Sequence, residues 1–318
     1  MFVPESYYNG LNENKKAKKD DILYSVVGSF GKPVYVDFDK QMVFQRHIAI
    51  LRPKRNVNAR FIYYTMLNPQ FYKLVDKLAI GCSQRTVTLD TLRNIEVNLP
   101  DKDIQDKMVG ILSLIDEKID INNNVNDNLS AMAYDIYMHN FFSKKPNAKL
   151  KDILTESEKS AIQVGEAKTS NGEYPFFTSG ATILKWNEPF VDGRNCFLNT
   201  GGNADVKFYV GKAAYSTDTW SISAKSEMSD YLYLMLFSIK PELDQKFFQG
   251  TGLKHLQKPL LKDRPIYVPE KLELEAFNRQ VIPMFDIISE NTRENQQLTS
   301  LRDWLLPMLM NGQATISD

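Results

Sequence analysis

Two stretches of this chain, about 40 residues each, follow one plan, and that plan limits the folds open to it. In the first, Ile104, Met108, Ile111, Ile115 and Ile119 lead to a polar centre, Asn122-Asn123-Asn124, and Val125, Leu129, Met132 and Ile136 follow it. Steps of three and four put such residues on one stripe of an α-helix. In the second, Phe277, Val281, Met284 and Ile288 lead to Asn291-Thr292-Arg293-Glu294, and Leu298, Leu301, Leu305 and Met308 follow. Helices of that length reach roughly 60 Å, more than the width of a small domain.

The likeness extends beyond the helices. Tyr64 and Tyr233, Gly81 and Gly250, Pro100 and Pro269, Asn122 and Asn291, and Leu129 and Leu298 are each 169 positions apart. A gapless register of this kind marks a duplication, and its period is far too long for a solenoid. The chain therefore reads as an α+β protein in four segments. Residues 1–100 and 144–269 form two mixed α/β domains, and residues 101–143 and 270–314 form two long helices. Duplicated units packed about a pseudo-twofold axis run their helices antiparallel, as in a coiled coil, and set the polar centres opposite each other. Pro283 predicts a kink near the start of the second helix.

Within the domains, short apolar runs end at glycine turns. Ile22 to Val27 runs into Gly28, and Phe197 to Thr200 into Gly201-Gly202; each reads as a strand and turn. Val34–Val36, Val43-Phe44 and Ile48–Leu51 read as further strands, Ala59–Leu67 and Gln70–Leu78 as helices, and Leu92–Leu99 as a closing strand. The second copy has a longer lead, including Leu150-Lys151-Asp152-Ile153-Leu154, so the first copy is expected to lack an opening strand and helix.

Lys and Arg number 39, as do Asp and Glu, for a net charge of +0. A protein held on nucleic acid by net charge alone is thereby disfavoured, and local clusters carry the argument. The 2 cysteines, Cys82 and Cys196, lie far apart and imply neither a disulfide framework nor a zinc site. No apolar run reaches the ~20 residues of a membrane span. The first residues lack the pattern of a signal peptide, so a cytoplasmic location is expected. Walker, GxGxxG and HExxH motifs are missing, and His47, His139 and His255 stand singly. Asn187-Glu188-Pro189-Phe190 approaches the Asn-Pro-Pro-Phe loop of amino-methyltransferases, but has Glu for the first proline and no glycine-rich loop upstream. No catalytic, cofactor or metal site is expected.

Taken together, several stretches resemble the specificity (S) subunit of type I restriction–modification enzymes. They are Asp21 to Lys32, the loop and run from Gly81 to Pro100, the helix from Ile104 to Asn126, the second copy's loop from Gly250 to Leu256, and the ending Leu305 to Gln313. The resemblance implies two target-recognition domains, each reading half of a bipartite sequence in double-stranded DNA, with a helix pair that sets the spacer. It implies docking of two modification subunits, which carry S-adenosylmethionine and methylate, and of restriction subunits with nuclease and motor activity. The S subunit itself is not catalytic. This sequence departs from the family pattern in its shortened first domain.

Phosphate contacts supply affinity and base-edge contacts supply sequence. Candidates for the first are Lys15, Lys16, Lys18, Lys19, Lys54 and Arg55. Candidates for the second are Gln45, Arg46, Ser83, Gln84 and Arg85, and in the second copy Thr200, Asn203, Thr217, Lys254 and His255. Arg grips guanine and Gln or Asn grips adenine through paired hydrogen bonds worth ~1–3 kcal/mol. Without DNA readout, the chain would be a structural adaptor with protein-binding globules.

Overall fold

The computed structural model describes residues 3–82 and 84–313. The chain divides into two compact units, Met1–Ile119 with Gln296–Asp318, and Asp120–Asn295.

The first unit runs α1 (Glu5–Asn9), β1 (Ile22–Ser25), β2 (Pro33–Tyr35), β3 (Ile48–Leu51), α2 (Ala59–Leu67), α3 (Pro69–Leu78), α4 (Leu89–Arg93) and then enters α5 (Lys102–Asn140). Its antiparallel sheet has the order β2-β1-β3. Asn58 starts α2, its side chain accepting from Phe61 N at 3.2 Å. Asn68 ends α2 and caps α3, accepting from Gln70 N at 3.0 Å, with Pro69 in the first turn. Ile22, Tyr24, Val26, Ala49, Met66 and Val75 form the core between sheet and helices. The expected strand at Leu92–Leu99 does not form. Leu92 lies in α4, and Ile95 to Pro100 belong to no helix or strand and have no strand partner among the described residues. Val43-Phe44 likewise stays outside the sheet.

The second unit continues with β4 (Ala148–Lys149), α6 (Leu150–Ile153), β5 (Leu154–Glu156), α7 (Val164–Ala167), β6 (Tyr174–Phe177), β7 (Leu184–Trp186), β8 (Arg194–Asn199) and β9 (Val206–Val210). Then follow β10 (Ala214–Tyr215), β11 (Thr219–Ala224), α8 (Ser229–Ser238), α9 (Lys240–Glu242) and a π turn at Leu243–Phe247. The chain closes with β12 (Phe248–Gln249), β13 (His255–Leu256), α10 (Lys258–Lys262), β14 (Pro265–Ile266) and α11 (Lys271–Met310). Its main sheet has the order β5-β11-β8-β9. The register matches that of the first unit: Ser25 faces Ile48 and Ile22 faces Leu51, as Asn199 faces Thr219 and Cys196 faces Ile222. The order β2-β1-β3 thus repeats as β9-β8-β11, and β5 is an added fourth strand.

The long helices are antiparallel, and their seam keeps Met108, Ile115, Ile119, Leu129, Phe277 and Val281 of the expected stripe but departs from it at other positions. In the first unit Met108, Val109 and Leu112 of α5 pack with Leu306 and Leu309 of α11 and with Phe61 and Tyr64 of α2. In the second unit Ala133, Tyr137 and Phe141 pack with Phe277, Val281 and Phe285. Met108, Leu112, Ile115, Ile119, Asn122, Asn126, Leu129 and Ala133 step alternately by four and three, the coiled-coil spacing. Ile136, Leu298, Leu305, Met284, Ile288 and Met308 are half-buried along the pair. Ile104, Ile111, Val125, Met132 and Leu301, expected in the seam, are exposed. Asparagines occupy the central seam positions, so a search for apolar residues alone selects neighbours rotated out of the contact. The polar centres do meet. Asn122 Nδ2 donates to Asn295 Oδ1 at 2.9 Å and to Glu294 Oε2 at 2.7 Å. Helix α11 continues through Pro283 as one element.

Candidate nucleic-acid interface

Each unit builds the same pair of crossed turns. After β1 the chain turns at Gly28, and after β8 it turns at Gly202; both glycines have positive φ, +70° and +83°. Beside each lies a second loop that opens on a glycine, Gly81 (φ +96°) or Gly250 (φ +149°). A Cβ at Gly81 would lie 2.8 Å from the Gln84 carbonyl oxygen, and one at Gly250 would lie 2.7 Å from that of Leu253. Only glycine fits either place.

Backbone hydrogen bonds tie the two turns together in the same way in both units. Gly28 N donates to Arg85 O at 3.1 Å, and Gly202 N donates to Lys254 O at 2.9 Å. Val87 N donates to Val26 O at 2.8 Å, and Leu256 N donates to Thr200 O at 2.9 Å. Val26 N reaches His47 O at 2.9 Å, as Thr200 N reaches Asp218 O at 2.9 Å. The residues expected to read bases, Gln84 with Arg85 and Lys254 with His255, therefore sit on equivalent, backbone-clamped loops. Arg46 and Thr217 are likewise equivalent, each preceding the residue whose carbonyl makes the third contact.

The side chains differ in how free they are. Arg85 pairs with Asp76 of α3 and lies over the Phe30 ring at 5.7 Å. Lys254 Nζ is 2.9 Å from Asp244 Oδ2. Its hydrogen bond, with help from the Ala204 N–H, holds the Asp244 carboxyl below its usual range. Both cations thus already have carboxylate partners, which any incoming anion would have to replace. Gln84, His255 and Asn203 are exposed, and Thr200 and Thr217 half-exposed. Ser83 lies outside the described residues.

The expected phosphate-binding lysines fall into two groups. Lys16 and Lys18 each lie 3.0 Å from a Glu13 oxygen. Those hydrogen bonds, and the two lysine charges, pull the Glu13 carboxyl down to about 2. Lys15, Lys19, Lys54 and Arg55 are exposed and make no ion pair among the described residues. Lys15, Gln45 and Arg46 converge on a cavity of about 690 Å³ in the first unit, together with Arg52, Arg93 and the length of β3. In the second unit Thr200 and Thr217 line a cavity of about 380 Å³ with Lys159 and Lys258. Lys258 carries no signal in the repeat, because its counterpart 169 positions earlier is Leu89. The Lys258 Nζ lies 4.8 Å from the centre of the Trp220 ring.

Among the described residues there is no group of His, Cys, Asp and Glu able to hold a metal, and no helix long and apolar enough to cross a membrane. A family model described as the type I restriction modification DNA specificity domain matches residues 5–131 and again 144–299. The chain is 22% identical to the type I restriction enzyme HindI specificity subunit of Haemophilus influenzae, over 94% of this chain and 87% of that one. It is 19% identical to the MjaIX specificity subunit of Methanocaldococcus jannaschii, over 84% of this chain and 71% of that one. Its fold is similar to the crystal structure of a type I restriction–modification S subunit from M. genitalium, with a TM-score of 0.56 at 17% identity, covering 92% of this chain and 83% of that one.

Proposed function

Because the chain belongs to the type I restriction–modification DNA specificity family, we propose that it selects a bipartite DNA target for methylating and cleaving partner subunits. The observation that carries this reading is that the family model matches twice, on segments that share the crossed glycine turns. One clamped loop per unit makes two readers, and two weak readers on one chain gain by effective concentration when the spacing fits. Gln84 and Arg85 read one half-site, with Gln45 and Arg46. Lys254 and His255 read the other, with Thr200, Asn203 and Thr217. The free lysines Lys15, Lys19 and Lys54, with Arg55, grip phosphate. The helix pair sets the unread spacer.

Chemistry belongs to the partners in this reading. Two modification subunits hold S-adenosylmethionine and methylate, restriction subunits cut, and this chain is not catalytic. Exposed apolar residues on the helices support a docking role. Ile104, Ile111 and Leu114, with Leu301 and Trp304, stand exposed in the first unit, and Ile121, Val125 and Met132 in the second. Such surface groupings mark protein contacts. The near-zero net charge is tolerable where partners supply much of the positive field around DNA.

The test is co-expression with the methylating subunits followed by methylome sequencing. The expected result is one interrupted motif with two short half-sites. Methylation without a bipartite motif would overturn the reading and favour an adaptor role.

A further inference from the structure

Trp220 of β11 is buried at 3% exposure, and its ring carries two lysines of one short helix. Lys258 Nζ lies 4.8 Å from the ring centre and Lys262 Nζ 5.9 Å. The two stand four residues apart on α10, so their side chains leave the helix on one side. Glu156 fixes the arrangement. One of its oxygens takes Trp220 Nε1 at 2.8 Å, and the other takes the Lys262 ammonium. Lys258 makes no ion pair among the described residues, although it lies in the field of the same carboxylate.

Lys258 is half-buried. Burial lowers its pKa below the usual lysine value, and the charges of Lys262 and Lys159 add to that, against the pull of Glu156. An ammonium that gives up part of its water without a paired carboxylate costs free energy unless a ligand supplies acceptors.

The lysine lines the 380 Å³ cavity of the second unit together with Thr200 and Thr217. Other hydroxyls of that cavity are spent within the protein. Ser157 Oγ lies 3.0 Å from Ser221 Oγ, and Thr219 Oγ1 lies 3.0 Å from Ser216 Oγ. The Thr200 and Thr217 hydroxyls have no hydrogen-bond partner among the described residues. Glu158 and Asp218 are exposed at the same cavity. Two carboxylates beside the ammonium tell against a phosphate, whose charge has their own sign. A neutral edge rich in acceptors remains, and guanine presents one, N7 and O6, in the major groove.

The first unit has no such device. The position that faces Tyr24, as Trp220 faces Leu198, holds Ala49, and Lys258 corresponds to Leu89. A lysine required by the shared fold is expected in both copies; one that reads a base is needed in one.

We propose that Lys258 is a specificity-determining residue of the second unit, whose ammonium, seated on the Trp220 ring beside Thr200 and Thr217, donates to N7 and O6 of one guanine. The assignment rests on the DNA-reading function proposed above. Trp220 and Glu156 are positioning residues, which hold the lysine stem and take no part in the contact with the base.

The Lys258→Met chain in complex with its methylating subunits tests the proposal. Methionine keeps an unbranched stem over Trp220, and an unchanged melting temperature checks the fold. Methylome sequencing should show the motif relaxed at one G·C pair of one half-site and kept in the other. A second arm needs no variant. 7-Deazaguanine, which lacks N7, placed at each guanine in turn should weaken wild-type binding about tenfold at that same pair. The variant should bind the substituted and natural DNA alike. A motif that stays unrelaxed, or a wild-type complex indifferent to 7-deazaguanine, would overturn the proposal. A salt slope then lowered by about 1 would make Lys258 a phosphate contact, and an unaltered slope a packing residue. A wild-type complex with no bipartite motif would overturn the DNA-reading function itself, and this assignment with it.

Discussion

Asn291 Nδ2 donates a hydrogen bond to Asn126 Oδ1 at 2.8 Å, in mirror of the bond from Asn122 to Asn295. The four asparagines occupy consecutive seam positions where an ordinary coiled coil has apolar residues. A buried polar residue in a seam costs stability and fixes register. Replacing one by alanine should therefore be worse than replacing all four by leucine. Asn122→Ala removes the amide that donates to the Asn295 and Glu294 oxygens and should cost about 1–3 kcal/mol. The fourfold leucine variant should raise the urea midpoint while allowing slipped pairings, seen as mixed products when cysteines placed across the seam are oxidised. A single product from that variant would remove the register role.

Arg194 and Asp230 make a second prediction. Asp230 is fully buried, and its oxygens take Arg194 Nε at 2.5 Å and Nη2 at 2.6 Å. Arg194 also reaches Asp286 Oδ1 at 2.6 Å and Ile282 O at 3.1 Å on α11. Removing one partner of a buried pair leaves a charge without compensation. Arg194→Met should lower stability by about 3–5 kcal/mol, measured by denaturant unfolding. The double variant Arg194→Met with Asp230→Leu should recover much of that loss.

Glu13 holds back two lysines. Glu13→Gln should free Lys16 and Lys18 for phosphate, strengthen DNA binding, and steepen the salt dependence by about 1–2 units of slope. The pH behaviour follows from the low carboxyl pKa. A depressed carboxylate keeps its pairing above the unfolded value of 4.5 and loses it as pH falls through about 2. Affinity should then show no Glu13 step between neutral pH and 5, and carbon-detected NMR of the carboxyl should place its midpoint near 2.

The spacer reading predicts an outcome for helix length. Seven residues inserted into each of α5 and α11 at matched positions keep the alternation of three and four, and add roughly 10 Å. The methylated motif should keep both half-sites and gain about three base pairs between them, at 3.4 Å per pair. An unaltered spacer would defeat the ruler idea.

Periodicity made the helix pair and the duplication legible, and the helix read at Ala59–Leu67 is α2. The stripe was misread where side-chain chemistry runs against position. Asn122, Asn126 and the small Ala133 hold the seam, while the larger Val125 and Met132 face out. Leu92–Leu99 has strand-like alternation, but its second-unit counterpart β14 depends on pairing with β4, and among the described residues of the first unit there is no such strand. Local pattern does not report a missing partner. Arg85 and Lys254 were recognisable as cations on loops. Their carboxylate neighbours Asp76 and Asp244 come from other elements and were not.

The glycine clamps have a consequence for how such a reader changes over evolutionary time. Gly28 with Arg85 O, and Gly202 with Lys254 O, fix each loop through main-chain atoms alone. Between Gly81 and Thr86 in one copy, and Gly250 and His255 in the other, the side chains have already diverged, Gln84-Arg85 against Leu253-Lys254. Substitutions there alter what is presented to a partner without altering the frame that presents it. On the proposed reading, new target sequences would then be reachable in single steps, each by a protein that still folds.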